Sequence, residues 1–195
     1  MKTRNTDVAD EGAMNRREGI RRSAAWAGVA ALWASLPART WAALALPAGW
    51  SADEERLLTL IGDTIIPATA GSPGAGAVGI GRFIIVQATA CGAAGAGEAL
   101  RRGLKEIQAA SAARFAKTFA ELSGAERERV LTDYEGRTAP VKGNATNPFR
   151  LMKELTLLGY FTSEPGATQA LRYLPVPGGF RGSVKLGKEE RSWAL

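Results

Sequence analysis

The fold is decided by residues 147–186, which read NPFRLMKELTLLGYFTSEPGATQALRYLPVPGGFRGSVKL. Asn147 is a suitable helix N-cap, and Pro148 suits the first helical position, where a missing N–H has no partner to lose. Apolar side chains then recur at steps of three and four residues, at Phe149, Met152, Leu155 and Leu158. This spacing predicts a helix with one apolar face, and we expect the helix to end at Gly159.

The chain after this helix is not expected to form another long helix. A turn is predicted at Glu164-Pro165-Gly166, because proline presets φ and glycine accepts positive φ. A short helical piece is expected over 167–173. Residues 174–180 contain two prolines and two glycines, which exclude a helix interior and a central strand. We therefore predict an irregular C-terminal arm from about residue 174, rich in proline, glycine and aromatic residues.

Short helices are also predicted in the preceding part of the chain. Ser51 with Glu54 and Ser123 with Glu126 have the spacing of capping boxes, so each pair marks a helix start. The predicted elements are helices over 51–66, 82–90, 98–122 and 123–134, a Gly- and Pro-rich loop over 68–81 and a polar loop over 136–146. Since no stretch alternates between apolar and polar residues with period two, the predicted class is all-α.

The first 45 residues have the layout of a twin-arginine export signal. Arg16 and Arg17 precede a second arginine pair and an Ala-rich apolar run over 24–36. A transmembrane anchor is the alternative, but it would need about 20 strongly apolar residues, and this run is short and is followed by Pro37 and Arg39. We therefore expect residues 1–45 to be an export signal and residues 46–195 to be a helical domain in the periplasm.

The net charge of +6 is divided evenly between these two parts. Residues 1–45 hold seven Lys/Arg and four Asp/Glu, which is half of the excess, so the remaining domain is only mildly basic. Nucleic-acid binding needs a clustered basic face with stacking aromatic side chains, and neither occurs in the sequence. A nucleic-acid partner is therefore not expected.

The chain contains no histidine, which removes most self-contained catalytic arrangements. Ser-His-Asp and Cys-His catalysis, His-ligated zinc or iron and covalent haem attachment all require that side chain. Residues 74–79 match G-x-G-x-x-G, and Glu98 follows about 20 residues later, as in a dinucleotide site. Such a site follows a buried strand, whereas this stretch follows Pro67 and Pro73, so an interhelical loop is the favoured interpretation.

Two isolated polar side chains have more than one interpretation. Cys91 is the only cysteine, and it is either a small buried residue or one half of an intersubunit disulfide. Asp63 lies in an otherwise apolar helical stretch. It is expected to fix a helix end or a loop by hydrogen bonding rather than to act as a catalytic acid, since no second acid or base lies near it in sequence.

The aromatic residues before and within the arm are candidates for binding a partner. Tyr160, Phe161 and Tyr173 taken singly are each expected to be core residues. Taken as a set beside an extended Pro-Gly segment, they have the character of interface anchors. The predicted partner-binding residues are Tyr160, Phe161, Tyr173, Pro175, Pro177 and Phe180.

Three stretches of the chain resemble the signatures of one family. Residues 152–180 resemble the C-terminal signature of the small subunit, the gamma subunit or subunit 3, of gluconate 2-dehydrogenase and related membrane-associated flavin sugar dehydrogenases. Residues 63–69, which read DTIIPAT, and residues 78–84, which read VGIGRFI, resemble the same family's N-terminal signature. With the leader, the resemblance covers essentially the whole chain.

The resemblance implies a noncatalytic small subunit of a periplasmic dehydrogenase complex for sugars or sugar acids. It implies no catalytic, cofactor-binding or metal-binding residue in this chain. FAD would be bound by a partner of the glucose-methanol-choline oxidoreductase type, and haem c by a multihaem cytochrome subunit where one is present. The small subunit would assist maturation and export of the flavoprotein, and it would meet the cytoplasmic membrane only through the complex.

Two other classes of function remain open from the residues alone. One is a stand-alone enzyme or electron carrier of the envelope, which would need a cofactor site that the sequence does not show. The other is a solitary helical interaction protein. Which sugar is oxidised cannot be read from this chain, because the substrate pocket would lie in the partner.

Overall fold

Helices make up the ordered elements of the computed structural model, which describes residues 45–137, 147–174, 178–179, 183, 185, 187 and 190–194. The α-helices are α1 (Ala52–Ile65), α2 (Ile80–Ala90), α3 (Ala96–Phe115), α4 (Gly124–Arg137) and α5 (Pro148–Phe161). Short 3₁₀ helices lie at Ala75–Val78 and Phe119–Glu121, and a π-helical turn covers Gly166–Ala170. The described residues contain no strand, and the predicted all-α class is confirmed.

The helix starts follow the predicted capping residues. The Ser51 hydroxyl accepts the Glu54 N–H and the Glu54 carboxylate accepts the Ser51 N–H, which completes the capping box of α1. Asn147 Oδ1 accepts the N–H groups of Phe149 and Arg150, and Pro148 is the first residue of α5. The predicted polar loop begins later than expected, because α4 runs to Arg137, and residues 138–146 lie outside the described residues.

One predicted helix start, that of α2, and one predicted helix end, that of α3, are wrong. α2 begins at Ile80, two residues before the predicted start. α3 ends at Phe115 rather than at residue 122, because Ala116 adopts a left-handed conformation with φ of 53°. The chain then turns so that Phe119 enters the core from the second 3₁₀ helix, where its N–H donates to Gln108 Oε1 at 2.9 Å.

The predicted end of α5 at Gly159 is also wrong, because the helix continues to Phe161. A Cβ at Gly159 would lie 2.5 Å from Phe83 Cδ1 and 2.6 Å from Ile80 Cδ1. Glycine is therefore present to let α2 and α5 approach closely, not to end the helix. The predicted turn at Glu164-Pro165-Gly166 is helical instead, and it leads directly into the π-helical turn.

The core is formed mainly by α1, α2, α3 and α5, with Phe119 and α4 completing it. Fully buried side chains include Leu58, Ile61, Ile84, Leu100, Ile107, Phe119, Met152 and Tyr160. Arg82 of α2 and Glu55 of α1 form a bidentate ion pair, with Nη2 to Oε2 at 2.6 Å and Nε to Oε1 at 3.0 Å. Both side chains are largely shielded from solvent, so this pair fixes the two helices against each other.

Candidate partner-binding surface

The exposed large apolar side chains are concentrated in one part of the sequence. Within the described residues there are six of them, namely Leu157, Leu158, Phe161, Tyr173, Leu174 and Trp193. All six lie in the last 39 residues of the chain, whereas the earlier described helices keep their large apolar side chains at least partly covered. We call these six residues the apolar set. An uneven distribution of this kind is typical of a surface that binds another molecule.

The C-terminal half of α5 shows how the apolar set comes to be exposed. Met152, Thr156 and Tyr160 lie on the buried side of the helix, and the Thr156 hydroxyl donates to the Met152 carbonyl at 2.7 Å. Leu157 and Leu158 therefore point to the other side, where they are 39% and 47% exposed. The predicted apolar face is correct at Phe149 and Met152 and wrong at Leu158.

Tyr160 is a correction to the predicted partner-binding residues. Its side chain is only 1% exposed, and its hydroxyl donates to the Pro73 carbonyl at 2.7 Å across 87 residues of sequence. Tyr160 is thus a core residue that ties α5 to the loop before the first 3₁₀ helix. Its neighbour Phe161 packs edge-on against it, with ring centroids 5.2 Å apart, and keeps an exposed face.

The other predicted site residues fall into two groups. Phe161 and Tyr173 are exposed, at 38% and 55%, so both are available for contact with a partner. Pro175, Pro177 and Phe180, together with Arg16 and Arg17 of the predicted export signal, lie outside the described residues. Leu157, Leu158, Leu174 and Trp193 were not among the predicted partner-binding residues. The adjacent pair Leu157-Leu158 indicated that at least one of these two side chains is exposed, since two consecutive residues cannot both lie on a narrow buried stripe.

The glycine-rich motif at 74–79 is held by Asp63. Asp63 Oδ1 accepts the Gly76 N–H at 2.6 Å, and a Cβ at Gly76 would lie 2.2 Å from Asp63 Oδ2. The motif is a 3₁₀ loop between α1 and α2, which confirms the interhelical interpretation and the loop-fixing role of Asp63.

Cys91 is exposed at the end of α2, so the expectation of a small buried residue is wrong. The intersubunit disulfide stays a prediction.

Charged groups elsewhere form contacts within the chain. Tyr134 is buried, and its hydroxyl donates to Glu106 Oε2 at 2.5 Å. Burial raises the pKa of the phenol, and the hydrogen bond to Glu106 raises it further. A shallow groove between α3 and α4 has Arg114 on its wall, ion-paired with Asp133, while Arg137 Nε donates to the Asp133 carbonyl.

The described residues contain neither a candidate metal site nor a candidate membrane span. They contain no cluster of three or more His, Cys, Asp or Glu side chains that could hold a metal ion. None of their helices has both the length and the hydropathy required to cross a membrane.

Comparison with known proteins gives a match to a family model. The family model described as gluconate 2-dehydrogenase subunit 3 matches residues 52–178, which is more than half of the chain. The matched range includes α1 to α5 and the part of the apolar set from Leu157 to Leu174. No curated protein and no solved structure matches.

Proposed function

The chain belongs to the gluconate 2-dehydrogenase subunit 3 family, and from this membership we propose that it is the noncatalytic small subunit of a periplasmic, membrane-associated dehydrogenase complex. The complex oxidises a sugar or a sugar acid of the gluconate type with a flavin. Within it, the small subunit supports maturation, twin-arginine export and stability of the catalytic flavoprotein.

The observation that supports a subunit role most strongly is the apolar set. Leucine and aromatic side chains exposed together near the end of one helix and in the following arm favour a large protein partner. A helical domain that keeps its other large apolar side chains covered has no need of these six for its own core. The partner that the family implies is the catalytic subunit.

The chemistry in this proposal belongs to other chains. A flavoprotein of the glucose-methanol-choline oxidoreductase type binds FAD and the substrate, and a multihaem cytochrome c passes electrons onward where it is present. The small subunit has no histidine to serve as a general base or metal ligand. Its contribution is to bind the flavoprotein and to carry the Arg16-Arg17 signal.

A complementation experiment in the native host tests this function. Deleting the gene for this chain is expected to abolish periplasmic dehydrogenase activity and to lower the amount of exported flavoprotein, and the native chain is expected to restore both. A chain with Leu158→Ser and Phe161→Ser should restore less than about a tenth of the native periplasmic activity. The reason is that hot-spot side chains contribute about 2 kcal/mol or more each to the binding free energy.

Glu154→Ser is the matched control, since Glu154 is an exposed residue of the same helix and is not part of the apolar set. It is expected to restore full activity. Undiminished periplasmic activity in the deletion strain would show that the flavoprotein does not need this chain. Full restoration by the double variant would remove the apolar set from the interface.

A further inference from the structure

The exposed side of α5 changes from charged to apolar along the helix. It carries residues spaced by three or four positions, namely Arg150, Glu154, Leu157 and Phe161. The first two form an ion pair, with Arg150 Nε 2.7 Å from Glu154 Oε1. The last two are exposed apolar side chains, and Leu158 lies beside them. We call Leu157, Leu158 and Phe161 the apolar end of α5.

A single charged residue, Glu164, lies at the apolar end of α5. Residues 155–171 contain no Lys or Arg, and Glu164 is the only acidic residue among them. Ser163 Oγ donates to the Tyr160 carbonyl at 2.6 Å and accepts the Gly166 N–H at 3.2 Å, so the chain around Glu164 is fastened to the last turn of the helix. Glu164 is exposed, and none of the ion pairs formed among the described residues involves it.

We propose that the apolar end of α5 docks in an apolar groove of the catalytic flavoprotein, and that an Arg or Lys on the rim of this groove pairs with Glu164. This proposal rests on the proposed function and adds to it a specificity-determining residue and the charge that the partner presents. Amphipathic helices dock in apolar grooves through side chains at this spacing.

A carboxylate beside an apolar interface needs a counter-charge when the interface closes. Covering the apolar end of α5 removes water from around Glu164, and a charge that loses its water without gaining a partner is costly. A guanidinium or ammonium group of the flavoprotein compensates this cost. Arginine suits the place best, because it binds a carboxylate through two N–H groups and also packs on aromatic rings, and Phe161 lies three residues before Glu164.

The same carboxylate makes two other occupants unfavourable. In a symmetric dimer of this chain, the apolar end of α5 would meet its own copy. Two Glu164 carboxylates would then enter one interface, with no Lys or Arg in residues 155–171 to separate them. An anionic lipid surface attracts basic segments and repels Glu164. A different protein that presents a cation is therefore favoured.

The affinity of the full chain for the flavoprotein separated from the native complex tests the proposal. Glu164→Gln removes the charge and keeps the shape, and it should lower the affinity about 10-fold, because the charge-assisted hydrogen bond is lost. Glu164→Lys brings two cations together and should lower the affinity about 100-fold. Glu128→Lys is the matched control, since Glu128 is an exposed carboxylate of α4, and it should bind like the native chain.

Salt dependence gives a readout that a merely structural role of Glu164 would not move. Raising the salt concentration from about 0.05 M to about 0.5 M should weaken the native complex, because salt screens the pair. The affinity of Glu164→Gln should fall by a smaller factor over the same range. Equal melting temperatures of the native chain and Glu164→Gln would show that the fold is intact.

The outcomes separate the two proposals. If the native chain does not bind the flavoprotein, the proposed function fails and this proposal falls with it. If the native chain binds, and Glu164→Lys binds equally well or Glu164→Gln shows the same salt dependence, the pairing of Glu164 alone is overturned. Self-association or binding to phosphatidylglycerol vesicles that Glu164→Gln strengthens, with unchanged affinity for the flavoprotein, would also overturn it and would assign the apolar end of α5 to a second copy or to a membrane.

Discussion

At the scale of single residues, Asp63 explains a motif that superficially indicates a nucleotide site. Its carboxylate lies against Gly74 and Gly76, where a Cβ would approach Asp63 oxygens to 2.7 Å and 2.2 Å. The first two glycines of the G-x-G-x-x-G pattern are therefore required by an aspartate from α1. The third, Gly79, has φ of 73° and is the N-cap residue of α2.

Removing the Asp63 carboxylate should loosen this loop. Asp63→Ala leaves the Gly76 N–H without its acceptor, and we expect a loss of about 1–3 kcal/mol in the free energy of unfolding, measured by urea denaturation of the full chain. Glu154→Ala, which breaks an exposed ion pair with Arg150, should cost much less stability than Asp63→Ala. Equal losses in the two variants would mean that Asp63 does not hold the loop.

Tyr134 predicts how stability depends on alkaline pH. Its pKa is raised by burial and by the bond to Glu106, so the unfolded chain releases this proton at lower pH than the folded chain. The stability held by the neutral phenol is present below about pH 10 and is lost as pH rises above that value. The urea midpoint should therefore fall less between about pH 8 and about pH 11 in Tyr134→Phe than in the native chain. Parallel curves would contradict the assignment.

At the scale of elements, Gly159 shows why a glycine in a helical pattern has two meanings. A glycine can end a helix, or it can let two helices approach each other, and the choice depends on residues distant in sequence. Here Ile80 and Phe83 of α2 occupy the space of its missing side chain.

Substitution tests the close approach of the two helices. Gly159→Ala should destabilise the full chain by about 1–3 kcal/mol, because the added methyl group collides with Phe83 and Ile80. Gly136→Ala in α4 is the control, since a Cβ there meets nothing within 4 Å, and it should stabilise by about 0.5–1 kcal/mol. A higher melting temperature for Gly159→Ala would contradict the close approach of α2 and α5 at this residue.

The same contrast separates what could be predicted from the sequence from what could not. The starts of α1 and α5 depend on residues within four positions of one another, so Ser51 with Glu54 and Asn147 with Pro148 predict them correctly. The end of α3 depends on Phe119 turning into the core, which spacing does not reveal.

The candidate site divides in the same way. Phe161 and Tyr173 could be predicted as exposed anchors from their place near the arm, and both are exposed. Tyr160 could not be separated from them, because its burial depends on the Pro73 carbonyl far away in sequence. The bridge between Arg172 and Trp193 joins residues about 20 positions apart that share no periodic pattern, so the sequence contained no signal for it.

At the scale of the whole molecule, the chain has a covered helical core and a C-terminal region that exposes apolar side chains. The Arg16-Arg17 pair precedes both in the sequence. We propose that the helical domain binds the flavoprotein. The Arg16-Arg17 pair would then serve as the export signal for both proteins.

Export of the two proteins should therefore depend on the same arginines. Arg16→Lys with Arg17→Lys is expected to leave this chain and the flavoprotein in the cytoplasm together, because lysine does not reproduce the guanidinium geometry. Arg21→Lys with Arg22→Lys is the matched control and should export both proteins normally. Fractionation followed by dehydrogenase assay measures this, and native periplasmic activity in the first variant would contradict the proposal.

We propose that this chain is a noncatalytic subunit of a dehydrogenase. This proposal is tested most directly by purifying a tagged full chain from the native host and measuring the subunit ratio, the visible spectrum and the oxidation of sugar acids with an artificial electron acceptor. We expect an equimolar complex with a flavin-containing chain that carries all of the activity, while the small subunit separated from it is colourless and inactive. A separated small subunit that shows flavin or haem absorption and oxidises sugar acids alone would contradict it.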